Sequence, residues 1–310
     1  MADISQLTII GILLGLYVGL VPVYLGFYFL PILKRLSHDW LNVIVSISLG
    51  VLVFLFVDVV AESIEMAEKL PAGMQIPADG QATVPPLDRM LFDLISRNQD
   101  IVFFLGPIIL ILGFTAGLGI LIFIETLVKS AESAKKTTQE AKETSKSKNP
   151  GNKLSLIGIE ELSPPFILAA IISFGIGLHN LGEGLAVGVA YGTGNITLAT
   201  VLIFGFAIHN VTEGLAITAP VSKSTVNYRT LFIFGLLAGG PTIVGSLLGI
   251  FVFSNGVALF FFALAAGSLL KVVIDITSHI GNDFKKNKWN FFGLALGFFI
   301  MYLTSLLVIL

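Results

Sequence analysis

Forty-one consecutive residues, 230–270, carry no charge, and neither do the thirty residues 4–33. Further charge-free runs cover 40–57, 101–124 and 289–310, while 162–191 and 196–220 each contain a single glutamate. A hydrocarbon core about 30 Å thick is crossed by about 20 apolar residues in helical form. Within lipid, the backbone polar groups must bond inside the segment that carries them. Runs of this length therefore dictate membrane-spanning helices. The 230–270 run is too long for one crossing, and Ser254-Asn255-Gly256 is a turn signal near its middle. Dividing it there gives eight spans. The fold class is all-α, a polytopic integral membrane protein forming one transmembrane domain over residues 1–310. Charged residues make up 12% of the chain, about half the share of a soluble domain.

Orientation follows from the placement of lysine and arginine. The segments after spans one, three, five and seven hold Lys34, Arg35, Lys129, Lys135, Lys136, Lys142, Lys146, Lys148, Lys153, Lys223, Arg229, Lys285, Lys286 and Lys288. The other side holds Lys69, Arg89 and Arg97. This 14-to-3 asymmetry predicts that the basic segments face the cytoplasm and that both termini are extracytoplasmic. Two non-membrane segments remain. Residues 62–100 read as an acidic, proline-containing external loop, and 130–153 as a flexible, lysine-rich cytoplasmic linker. The chain has no cysteine, which excludes thiolate metal sites and cysteine nucleophiles. A net charge of −2 gives no reason to expect nucleic acid as a partner.

The most informative pattern occurs twice. The fourth span reads His179-Asn180-Leu181-Gly182-Glu183-Gly184-Leu185-Ala186, and the fifth reads His209-Asn210-Val211-Thr212-Glu213-Gly214-Leu215-Ala216. A short turn around Gly192-Thr193-Gly194 joins the two spans, so residues 165–220 form an antiparallel pair. Both copies fall near the middle of their spans. A charged side chain there costs roughly 2.5–3.5 kcal/mol on insertion scales, and two facing carboxylates also repel. A divalent cation removes both penalties. Positions i and i+4 share a helix face, which pairs His179 with Glu183 and His209 with Glu213. Two imidazoles and two carboxylates suit Zn²⁺, Fe²⁺ or Mn²⁺ without sulfur. Asn180 and Asn210 lie about 100° further round their helices, where the glutamates could bridge to a second, oxygen-rich position. Helix–helix hydrogen bonding and a proton relay are the competing readings of the same groups.

These residues resemble the ZIP (Zrt-, Irt-like protein) family of divalent-metal transporters. The resemblance covers nearly the whole chain, and the continuation Gly214-Leu215-Ala216-Ile217-Thr218-Ala219-Pro220-Val221 is similar to the bacterial and archaeal branch. It implies that His179, Glu183, His209 and Glu213 form a first metal position, and that Asn180 and Asn210 share the two glutamates in a second. It also implies uptake across the cell membrane into the cytoplasm, with one helical block moving against another. Three features depart from the family pattern. Gly182 and Thr212 stand where proline is common, Gly240-Pro241 lacks the usual glutamate before its proline, and Leu52 follows Gly50-Val51 where methionine is common. The second position is therefore expected to be weakened.

Further ionisable residues lie along the same route. Asp58 and Glu62, four apart near the outer end of the second span, could collect cations from outside; a solvated helix terminus explains Glu62 equally well, and Asp58, one turn deeper, is the better candidate. Lys271, Asp275 and His279 form a stripe on the seventh span. One reading is a Lys271–Asp275 ion pair. The other is charge compensation by Lys271 near the second position, with Asp275 and His279 passing metal inward. Glu125 reads as an interfacial charge. No prosthetic group is expected; the metal (Zn, Fe, Mn, Cd or Co) is cargo. The bilayer is the other partner, and glycine faces such as Gly235, Gly239, Gly240, Gly245 and Gly249 would allow a homodimer. The chain has no H-E-x-x-H string, so an intramembrane zinc protease is disfavoured and no enzyme activity is expected. A proton- or cation-coupled transporter without transition metal is the alternative function.

Overall fold

The computed structural model describes residues 3–74, 86–95, 99–144, 163–251, 254–286 and 288–309. Among them the regular structure is helical, and eight helices are long and apolar enough to cross a membrane. They are α1 (Ile4–Leu33), α2 (His38–Met74), α3 (Gln99–Thr144), α4 (Pro164–Gly192), α5 (Ile196–Val221), α6 (Tyr228–Phe251), α7 (Asn255–Lys286) and α8 (Lys288–Ile309). A short connector helix, Pro86–Ile95, lies between α2 and α3.

Two segments are more helical than their polarity suggests. The expected loop at 62–100 begins inside α2, which runs on to Met74. Ser63, Ala67 and Leu70 keep one buried face at helical spacing, and Glu65 pairs with Lys69 on the exposed face. The expected linker at 130–153 likewise begins as the end of α3, which continues to Thr144. Alanine, lysine and glutamate are frequent there, and all favour helix. Residues 75–85, 96–98 and 145–162 of these segments lie outside the described residues. The turn between α4 and α5 falls where expected: Gly194 takes φ 78°, and Asn195 caps α5 by accepting from the Leu198 N–H at 3.2 Å.

The helices pack as two blocks, α1, α4, α5 and α6 in one and α2, α3, α7 and α8 in the other. Within each block the backbones touch at glycines. A Cβ on Gly184 would lie 2.2 Å from the Thr242 carbonyl oxygen, and one on Gly245 would lie 2.1 Å from that of Leu181. In the other block, a Cβ on Gly117 would lie 2.0 Å from the Leu264 oxygen and one on Gly297 2.0 Å from that of Ile47. Between blocks the principal seam is α4 against α7, and its glycines meet side chains. Gly175 faces Val272 Cγ2, and a Cβ on Gly182 would sit 3.8 Å from Ala265 Cβ, an ordinary contact. The α6 glycines anticipated from sequence are used inside the chain, with Gly235 and Gly239 facing α1 and Gly245 and Gly249 facing α4.

Two of the helices nearest the α4–α5 pair are irregular. α1 contains a π-helical turn at Leu16–Leu20, and α6 breaks at Gly240, just before Pro241.

Candidate metal centre

α4 and α5 turn their repeated motifs toward each other. His179, Asn180, Glu183, His209, Asn210 and Glu213 are all buried, none more than 4% exposed. The helices run unbroken through Gly182 and Thr212, and the Thr212 hydroxyl donates to the His209 carbonyl at 2.7 Å. Imidazole and carboxylate one helical turn apart therefore stay on one face.

Glu183 Oε1 reaches both imidazoles. It is hydrogen-bonded to His209 Nε2 and lies 3.0 Å from His179 Nε2. The second approach is close but misaligned, so His179 Nε2 has no hydrogen bond among the described residues. Glu213 Oε1 is also buried without one, and the two atoms lie 3.9 Å apart. Leaving two such atoms unpaired in a buried site is costly. A cation bound to nitrogen and oxygen at about 2.0–2.2 Å can span ligand atoms up to about 4 Å apart, so one ion between them satisfies both. Donor atoms of His179, His209 and Glu213 all lie within 4.8 Å of one another. A contraction of under about 1 Å closes that set around a metal.

The asparagines hold the outer carboxylate oxygens. Asn180 Nδ2 donates to Glu213 Oε2 and to the Ala238 carbonyl of α6, both at 3.1 Å. Asn210 Nδ2 donates to Glu183 Oε2 and to the Val18 carbonyl of α1, both at 2.9 Å.

The chain-wide pattern agrees with this centre. A family model described as ZIP zinc transporter matches residues 5–305. The chain belongs to the ZIP zinc transporter family. A search of curated proteins finds no match. ZIP membership implies transport of divalent metal by a multi-pass membrane protein, and the family consists of transporters rather than enzymes. The buried histidine and glutamate cluster fits a metal site of such a ZIP protein.

The remaining sequence-derived residues fall in two places. Asp58 and Glu62 are exposed on α2, and Asp58 is close enough to His179 and His209 to interact electrostatically with both. Lys271 lies elsewhere. It is 7% exposed, pairs with Asp275 one turn along α7, and meets Glu125 Oε2 of α3 at 2.6 Å. Glu125 is therefore an ion-pair partner inside the bundle as well as a partner of Lys129. The His279 side chain lies outside the described residues. Sequence reasoning gave no sign of the Val18 and Ala238 carbonyls, because every residue carries a carbonyl. Lys271 was itself the available signal for Glu125, since a buried ammonium needs more than one acceptor.

Proposed function

We propose that this ZIP protein is a carrier that takes a divalent transition metal, Zn²⁺, Fe²⁺ or Mn²⁺, across the cell membrane into the cytoplasm. His179, Glu183, His209 and Glu213 bind the ion in transit. The observation that carries this reading is the pair of unsatisfied donor atoms, His179 Nε2 and Glu213 Oε1, buried 3.9 Å apart between antiparallel helices. The ligand set contains no thiolate, so the choice among these metals, and Co²⁺ or Cd²⁺, rests on geometry and availability.

Inward direction is supported by the lysine and arginine asymmetry, which favours basic segments in the cytoplasm and both termini outside. Asp58, exposed on α2 and electrostatically coupled to both imidazoles, would draw the cation toward the centre, with Glu62 one turn further out. The centre belongs to one helical block while Asp58 belongs to the other. The side-chain seam at Gly175 and Gly182 is where one block would move against the other.

The test is uptake by the purified chain in liposomes, with Zn²⁺, Fe²⁺ and Mn²⁺ competing at several pH values. Metal accumulation that falls to background in His179→Ala and Glu213→Ala supports the proposal. Proton flux without metal accumulation would instead establish a proton transporter, and unchanged metal flux in both variants would reject the site.

A further inference from the structure

The geometry points to Asn180 and Asn210 as positioning residues, whose amide donors tie the two carboxylates of the centre to the backbones of α6 and α1. This rests on the reading of the centre as a metal site.

The two asparagines are placed alike. Each Nδ2 carries two hydrogens, and each divides them the same way. One hydrogen goes to the outer oxygen of the glutamate on the opposite helix, at 3.1 Å for Asn180 and 2.9 Å for Asn210. The other goes to a main-chain carbonyl of a third helix, Ala238 at 3.1 Å and Val18 at 2.9 Å. Both asparagines are 0% exposed, so water does not compete for these donors.

The two carbonyls sit at irregular points of their helices. Val18 is inside the π-helical turn Leu16–Leu20. Ala238 is two residues ahead of Gly240, where the hydrogen-bond ladder of α6 is interrupted by a proline that supplies no N–H, while Gly240 keeps helical dihedrals. Such points are where a helix changes its winding most readily. They also touch each other. A Cβ on Gly239 would stand 2.6 Å from Leu20 Cα, and one on Gly19 would stand 2.0 Å from Thr242 Oγ1. A chain of contacts results, running from Glu183 through Asn210 to α1, across to α6, and back through Asn180 to Glu213. A cation that draws Glu213 Oε1 and Glu183 Oε1 inward rotates both carboxylates, and the asparagines carry that rotation to the two irregular turns.

The oxygens Asn180 Oδ1 and Asn210 Oδ1 are buried without a hydrogen-bond partner among the described residues. These are the atoms an oxygen-ligand role would use. Position 240 is glycine and adds no side chain that could join them around a second ion. Donor and ligand roles are separable by experiment.

The full chain in nanodiscs is subjected to hydrogen–deuterium exchange with and without Zn²⁺, and Zn²⁺ binding is measured by calorimetry on the same samples. In the wild type, Zn²⁺ is expected to change exchange at both irregular turns, residues 16–20 of α1 and 236–240 of α6. Asn210→Ala should lose the response at 16–20 and keep it at 236–240, and Asn180→Ala should do the reverse. Asn210→Asp, which keeps an oxygen and loses the donor, should behave as Asn210→Ala does. The inference is overturned if either alanine variant no longer binds Zn²⁺, if the response persists or vanishes at both turns together, or if Asn210→Asp restores it. Failure of the wild type to bind Zn²⁺ would remove the metal-site reading, and this inference with it.

Discussion

The Asp88 carboxylate caps the start of α7 by accepting the Ser254 hydroxyl at 2.5 Å. It is 0% exposed and also accepts the Asn255 N–H at 2.7 Å and the Gly256 N–H at 3.3 Å. A side chain of the connector helix thus satisfies backbone donors that α7 cannot pair within itself, and its charge opposes the helix dipole. Nearby, Leu91 of the connector and Leu105 and Ile109 of α3 pack against a buried cluster of Ala67 and Leu70 of α2 and Leu259 of α7. Asp88→Ala leaves those donors buried and unpaired. We expect a loss of about 1–3 kcal/mol, seen as a lower midpoint of thermal unfolding in detergent. An unchanged midpoint would show that the carboxylate is not the clasp.

Lys271 is held by Glu125 and Asp275, and neither glutamate of the metal centre is among its partners. Lys271→Met strands two carboxylates within the bundle. Breaking a buried pair in this way costs roughly 3–5 kcal/mol. Thermal stability should fall, and Glu125→Gln with Asp275→Asn added to Lys271→Met should restore part of it. Zn²⁺ affinity, measured by calorimetry on folded protein, should stay near the wild-type value. A large loss of affinity with stability unchanged would place Lys271 in charge compensation at the centre.

Glycine positions separate the seams inside a block from the seam between blocks. Gly184→Ala drives a methyl to 2.2 Å from the Thr242 oxygen, whereas Gly182→Ala meets Ala265 Cβ at 3.8 Å and the Phe261 oxygen at 4.0 Å, both ordinary contacts. The first should destabilise by several kcal/mol, beyond the roughly 0.5–3 kcal/mol of an ordinary substitution. The second should be near neutral, since alanine favours helix by about 1 kcal/mol over glycine. Equal unfolding midpoints for the two variants would contradict the packing described.

Spans and motif were legible in the sequence because both are local. Exclusion of charge over 4–33 or 230–270 admits few solutions other than a membrane helix, and His179 with Glu183 share a face by helical period alone. The helical ends of α2 and α3 were obscured by charge, which describes solvent exposure better than backbone conformation. Lys271 declared that it needed anions, but Glu125 lies on another helix and only packing joins them. The asparagines were legible as polar groups at membrane depth. Their acceptors, the carbonyls of Val18 and Ala238, have no sequence signature.

Zn²⁺ binding should be linked to pH. Imidazole and carboxylate ligands hold a metal only when deprotonated, so protons compete with the ion for Glu183 and His209, which are hydrogen-bonded to each other. Affinity should therefore rise with pH, by up to about tenfold per unit for each proton released. Calorimetry in two buffers of different ionisation enthalpy counts the protons released. Affinity independent of pH, with no proton release, would mean that the ion binds elsewhere.

X-ray absorption on the Zn²⁺-loaded chain reads the ligand shell of the metal itself. Nitrogen and oxygen neighbours are expected at about 2.0–2.2 Å, with the outer-shell scattering of two imidazoles, those of His179 and His209. A shell with no imidazole scattering, or one unchanged in His179→Ala, would contradict binding by these residues.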